Sequence, residues 1–241
     1  MKLILASDFN NIQKDQQGNK YAVPFADSNL FLTNIKKYTL RYKNLVFIVS
    51  NPETLEINNF YGNLLFESLK LSKIDFEKKT ILDNRNKNDA PEIIKDADLI
   101  FLSGGKVDIQ SKFLNEINLN EHLKNYTGLL VGASSGAMNL CNRVVSFPEN
   151  LEEINKNSLS KYFLNGLGFF DKIIIPHFDG ENKKYTRGGT DAMKYLLELS
   201  VGNEIIAFNN DSYIFLADRI QYFGNIYIIK NKKVNKLEVK K

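Results

Sequence analysis

The feature that most constrains this chain is Leu129-Leu130-Val131-Gly132-Ala133-Ser134-Ser135-Gly136-Ala137-Met138. A short apolar run ends at a glycine. A serine with glycines two positions away on either side then opens a helical stretch. G-x-S-x-G between strand and helix is the pattern of a nucleophile elbow, because the glycines permit a turn tight enough to hold the central serine hydroxyl exposed and strained. Only Ser134 has glycines at both flanking positions; Ser135 does not. The elbow requires a buried strand before it and a helix after it, and both can be read here.

The rest of the chain carries the same rhythm. Leu3–Ala6, Leu45–Val49, Thr80–Leu82 and Asp98–Leu102 read as strands, two of them continuous apolar runs of the kind buried in parallel sheets. Helical stretches are expected from Ser28, over about Glu53–Leu71, from the Gly-Gly turn to about Leu119, and near Thr190–Leu199. Ile173–Ile175 and Glu204–Phe208 are further strands. From Ser212 the runs shorten to Tyr213–Leu216, Gln221–Phe223 and Ile226–Ile229, with Gly224-Asn225 as a turn dipeptide, so an antiparallel extension is expected. The expected fold is α/β, a mostly parallel sheet flanked by helices with a C-terminal antiparallel β extension. With no linker, repeat or low-complexity segment, residues 1–241 read as a single domain.

Composition narrows the chemistry. The net charge of +4 comes from scattered lysines, and the densest cluster, Lys230–Lys236, reads as a solvated end. No basic stripe interleaves with exposed aromatics, so no nucleic-acid partner is expected. Cys141 is the only cysteine and reads as a small buried hydrophobe rather than part of a disulfide or metal site. Two histidines and no H-E-x-x-H motif give no metal site, and no cofactor is expected. The apolar start Met1–Ala6 is cut short by Asp8, and no run is long enough to span a bilayer. A cytoplasmic location without a membrane partner is the expectation.

The chemistry then falls on few residues. His122 lies among polar residues and reads as a surface side chain. His177 follows Ile173-Ile174-Ile175-Pro176, at the carboxyl end of a buried strand, where open α/β sheets place their sites. It is the candidate base that takes the Ser134 proton and returns it to the leaving amine. Ser103-Gly104-Gly105-Lys106 after another buried strand lets backbone amides face a ligand. Beside an elbow, the amides of Gly104 or Gly105 and of Ser135 would make an oxyanion hole.

In this order, strand-Gly-Gly (Phe101–Gly105), G-x-S-x-G-A (Gly132–Ala137) and P-H-F (Ile175–Phe178) is similar to the dipeptidase E and cyanophycinase group of serine peptidases. The resemblance spans Leu3 to about Leu216. It implies a flavodoxin-like or amidotransferase-like sandwich in which serine replaces the cysteine of class I amidotransferases. It also implies hydrolysis of small peptides next to aspartate, as Asp-X dipeptides in one branch and the Asp–Arg polymer cyanophycin in another, by a monomer or homodimer.

The chain departs from the family pattern at three places. Gly104-Gly105 is followed by Lys106 rather than asparagine, Ser135 stands at an alanine position, and Thr186-Arg187 runs into Gly188-Gly189. If aspartate specificity is retained, a cation holds the substrate carboxylate, with Arg187 the first candidate and Lys106 the second. For the acid that orients His177, the family's position falls in the loop after Glu204–Phe208, on Asp211 or equally on Asn210; Asp211 is the expectation and Asp179 the next choice. Two other classes stay open. An α/β esterase also uses G-x-S-x-G, but its acid precedes its histidine. A degenerate homologue could keep the fold for binding or regulation.

Overall fold

The computed structural model describes residues 1–148, 150, 154, 156–187 and 190–238. Five strands, β1 (Lys2–Ala6), β4 (Asn44–Ile48), β5 (Lys78–Leu82), β6 (Leu99–Leu102) and β7 (Leu129–Ala133), run parallel in the order β1-β7-β6-β4-β5. Leu3–Ala6, Leu45–Ile48 and Leu99–Leu102 are buried at every position, because both faces of the sheet are covered. β14 (Tyr213–Leu216) adds antiparallel to β1, and β15 (Ile220–Phe223) antiparallel to β14, so the expected antiparallel extension is one edge of this sheet.

The remaining late strands form a sheet of their own. β10 (Ile173–Ile175) pairs parallel with β13 (Glu204–Phe208), β16 (Ile226–Lys230) pairs antiparallel with β13, and β17 (Lys233–Lys236) closes the order β10-β13-β16-β17. The mostly parallel sheet flanked by helices, with antiparallel strands toward the C-terminus, is the architecture read from the sequence; the strand that delivers His177 belongs to a second, mixed sheet. Gly224-Asn225 is a turn as expected, yet it carries the chain from one sheet to the other instead of closing a hairpin between β15 and β16. Among the described residues, three two-stranded antiparallel sheets complete the strands: β2 (Ile12–Lys14) with β3 (Lys20–Ala22), β8 (Arg143–Val145) with β9 (Phe163–Asn165), and β11 (Thr186–Arg187) with β12 (Thr190–Asp191).

Helices α1 (Phe31–Tyr38), α2 (Leu55–Leu71), α3 (Ala90–Lys95), α4 (Val107–Glu116), α5 (Leu119–Leu123), α6 (Ser135–Asn139) and α7 (Met193–Leu199) lie between these strands. α2 packs on β3 and β5, α4 on α5 and α6, and α7 on β16. The helix expected over about Glu53–Leu71 is observed at Leu55–Leu71 and the one expected near Thr190–Leu199 at Met193–Leu199, while α3, with Pro91 in its first turn, is not among the helices expected from the sequence. Buried side chains from both sheets form one contiguous apolar cluster. No helix among the described residues is long and apolar enough to cross a membrane.

Strand register brings the carboxyl ends into line. Ala6 lies opposite Ala133, and Leu102 opposite both Gly132 and Ile48, so the carboxyl ends of β1, β7, β6 and β4 stand side by side. In the second sheet Ile175 lies opposite Ala207, so the segments holding His177 and Asn210 leave neighbouring strand ends together.

Candidate active site

The elbow has the geometry its sequence demands. Ser134 follows β7 and precedes α6 with φ 53° and ψ −118°, a sparsely populated conformation costing a non-glycine residue about 1–3 kcal/mol. The cost is met by surrounding bonds: the Ser134 N–H donates to the carbonyls of Ala6 (2.9 Å) and Ser7 (3.1 Å), and its own carbonyl accepts from Met138 N–H (3.0 Å). Gly136 is obligatory, since a Cβ there would lie 2.5 Å from the Leu102 carbonyl oxygen. His177 is likewise held at φ 57°.

Ser134 Oγ and His177 Nε2 are 2.8 Å apart, and His177 Nδ1 lies 2.9 Å from Asn210 Oδ1. The direction of these bonds follows from one fixed donor. The backbone N–H of His177 can only donate, and it does so to Ser7 Oγ at 2.8 Å. Asn210 Oδ1 can only accept, so the Ser7 hydroxyl turns its hydrogen to it at 3.0 Å. With Oδ1 facing both, Nδ1 must carry the imidazole proton, which leaves Nε2 bare to accept from the Ser134 hydroxyl. The chain of bonds thus starts and ends on His177 and selects the tautomer able to act as a base.

This arrangement corrects the expectation for the third member. Asp211 does not reach His177. Its backbone turns at φ 60°, its N–H donates to the Asp8 carbonyl (2.7 Å), and its carboxylate accepts from Asn10 Nδ2 at 2.6 Å. Side chains after β13 diverge residue by residue: Asn209 Oδ1 accepts from Gly180 N–H, Asn210 faces His177, and Asp211 faces Asn10. Asp179 is also elsewhere, accepting from the Asn182 backbone and side chain, bonds that hold its carboxyl below the usual carboxylate range. No carboxylate bonds the imidazole among the described residues.

The glycine loop lies against Ser134. A Cβ on Gly104 would sit 3.1 Å from Ser134 Cβ. Gly105 has φ 152°, and a Cβ there would fall 2.0 Å from Ser50 Oγ, so no other residue fits without displacing the loop. Ser135 opens α6, where the first amides have no partner within the helix. Its side chain points inward and donates to Gln110 Oε1 (3.1 Å). Gln110, fully buried, also donates from Nε2 to the Ser103 carbonyl and accepts from Asn139 Nδ2, which ties the glycine loop to the elbow helix.

Lys106, exposed, precedes α4 and is not among the residues lining the cleft at Ser134. Arg187 lies on β11, and its side chain is outside the described residues, as are Gly188 and Gly189. Cys141 is buried after α6, and burial pushes its thiol up, the reverse of what a nucleophilic cysteine needs. His122 is on α5, away from this cleft. Sequence reasoning missed Ser7 and Gln110, and held Asn210 only as the alternative to Asp211; the only signal for Ser7 is its place just past the carboxyl end of β1.

Comparison with known proteins agrees with the architecture. A peptidase from an acI-B1 actinobacterium superposes with a TM-score of 0.69 at 18% identity, covering 100% of this chain and 95% of that one. A candidate peptidase E protein from Listeria monocytogenes EGD-e superposes with a TM-score of 0.57 at 14% identity, covering 98% of both chains. At such identities these likenesses speak for the fold alone. No curated protein matches the chain in sequence. The model of Peptidase family S51 matches residues 33–220, most of the chain, and replaces the esterase alternative. The chain belongs to Peptidase family S51, the serine peptidases of the dipeptidase E and cyanophycinase group.

Proposed function

We propose that this serine peptidase hydrolyses small peptides through an acyl-enzyme on Ser134, with His177 as base and acid and Asn210 as the residue that holds the imidazole. The observation that carries the reading is the 2.8 Å contact between Ser134 Oγ and a His177 Nε2 left bare by the bonds on its other side. In the first step Ser134 Oγ attacks the scissile carbonyl carbon while Nε2 takes its proton. The tetrahedral oxyanion is received by amides of the Gly104-Gly105 loop and Ser135. Collapse breaks the C–N bond, and the imidazolium returns the proton to the leaving amine. Water then attacks the ester under the same base, and the acid product leaves with Ser134 restored.

Asn210 changes the electrostatics of this scheme. It fixes the ring through Oδ1 but places only an amide dipole, not a full negative charge, beside the imidazolium that forms. The buried cluster shared by both sheets supports residues 1–241 acting as one hydrolytic domain. The family resemblance implies Asp-X dipeptides, with Arg187 and Lys106 as the cations to hold the carboxylate; Lys106 does not line the cleft at Ser134 and the Arg187 side chain is outside the described residues, so the cleft lining, not the resemblance, decides the substrate class.

Steady-state hydrolysis of dipeptides by the purified chain, beside Ser134→Ala, tests the proposal. Loss of hydrolysis in a folded Ser134→Ala variant is expected. Full activity in that variant ends the acyl-enzyme reading.

A further inference from the structure

We propose that the cleft beside Ser134 receives the amino-terminal residue of a peptide whose first side chain is bulky and apolar, with Asp8 holding its α-ammonium. The inference rests on the acyl-enzyme reading above and names its substrate class. The cleft, about 470 Å³, has Ser134, His177, Gly104 and Gly105 in its lining. That volume suits a ligand of dipeptide size. Much of the lining is apolar. Phe9, Phe47, Val49, Leu65 and Phe101 belong to it, each at most 6% exposed. The rings of Phe9 and Phe47 each stand 6.3 Å from that of Phe101, forming an aromatic surface across the ends of β1, β6 and β4. Ile57 lines the same cleft and is 55% exposed, an apolar side chain left to water inside a concavity.

The charged lining is sparse and of one sign. Asp8 is the only carboxylate among the described lining residues, and none of them carries an ammonium or guanidinium. Asp8 is exposed, with one oxygen accepting from Asn10 N–H at 3.2 Å. It follows Ser7, whose carbonyl bonds the Ser134 amide, so the carboxylate is one residue from a contact with the nucleophile's own backbone. Lys20 donates to the Tyr61 hydroxyl and lies 4.9 Å from that ring, so its charge is engaged with this rim residue.

The substrate's own covalent geometry unites these features. Ammonium, side chain and reacting carbonyl all branch from the first residue's Cα, and the cleft offers a carboxylate, an apolar wall and a nucleophile within one concavity. An amino-terminal aspartate would instead bring a second carboxylate into a lining whose described residues carry Asp8 and no cation, which is unfavourable. Burying a leucine or phenylalanine side chain there favours it over alanine by about 10- to 100-fold in kcat/KM.

The test is kinetics on Phe-Ala, Leu-Ala, Ala-Ala and Asp-Ala with their N-acetyl counterparts, using the wild-type chain, Asp8→Asn and Ile57→Arg, beside fluorophosphonate labelling. The expected order places Phe-Ala and Leu-Ala about 10- to 100-fold above Ala-Ala, with Asp-Ala below it. Acetylation should cost the wild type at least about tenfold and Asp8→Asn much less. Ile57→Arg, at an exposed position where folding is not at stake, should narrow the gap between Phe-Ala and Asp-Ala. Labelling at Ser134 with Asp-Ala as the best substrate, or with no preference among first residues, overturns the subsite and leaves the peptidase reading standing. No labelling and no hydrolysis of any peptide overturns both.

Discussion

Removing one buried hydroxyl tests how the imidazole is set. Ser7 is fully buried, and its Oγ joins the His177 backbone N–H (2.8 Å) to Asn210 Oδ1 (3.0 Å). Ser7→Ala deletes both bonds. The two lost bonds, at about 0.5–1.5 kcal/mol each, cost about 1–3 kcal/mol in stability. For a chain of this length about 2 kcal/mol lowers Tm by roughly 4–8 °C. The catalytic loss has a different origin. Without the Ser7 hydrogen on Oδ1, the Asn210 amide is free to turn its NH2 toward Nδ1, which favours the tautomer protonated on Nε2 and useless as a base. Loss of that alignment should lower kcat about 10- to 100-fold with KM nearly unchanged. Kinetics and thermal unfolding of Ser7→Ala, Asn210→Ala and the double variant separate the two effects. Because Ser7 acts through Asn210, its substitution should cost kcat almost nothing further once Asn210 is alanine. Equal fold-losses from Ser7→Ala in both backgrounds, or a lowered Tm with unchanged kcat, would reduce Ser7 to a structural hydroxyl.

Asn210→Ala should lower kcat about 10²- to 10³-fold in peptide assays, since Nδ1–H loses its acceptor. Asn210→Asp should retain activity and move the acid limb of the pH profile to higher pH, because a carboxylate favours the imidazolium; an unmoved limb would separate Asn210 from the ring. Gly105→Ala, with its Cβ driven into Ser50 Oγ, should cost at least about 10²-fold in kcat by displacing the loop, while circular dichroism shows the fold intact. Cys141, buried and with its thiol pushed up, should resist iodoacetamide in the native chain at pH 8 and react once unfolded; inhibition by alkylation of the native chain would contradict its placement.

How much of the fold and site was legible in the sequence depends on the range of the interactions involved. The elbow reads directly because its demand is local: glycines two residues from Ser134, a strand before and a helix after, all within ten positions. His177 was legible because Ile173–Pro176 marks a buried strand end. Sheet membership was not legible in Ile173–Ile175 or Glu204–Phe208, since a continuous apolar run fits either a parallel core or a mixed second sheet. The residue that bonds His177 Nδ1 is Asn210, the alternative kept open beside the expected Asp211. Side chains in a loop leave their backbone according to local φ and ψ, and the left-handed turn at Asp211 sends its carboxylate to Asn10 while Asn210 takes the inward direction. Composition favours aspartate at that role, and the geometry chooses asparagine. Ser7 and Gln110 act through partners more than twenty positions away, Asn210, His177 and Ser135, so no short pattern announces them.

The most direct measurement is peptide mapping by mass spectrometry after treatment of the native chain with a fluorophosphonate. A reactive serine held by a bare imidazole predicts one phosphonylated peptide, carrying its adduct on Ser134, with Ser135 unmodified and the adduct lost in both Ser134→Ala and His177→Ala. An unlabelled wild-type chain, as a degenerate homologue kept for binding would give, or an adduct that survives Ser134→Ala, would contradict the account.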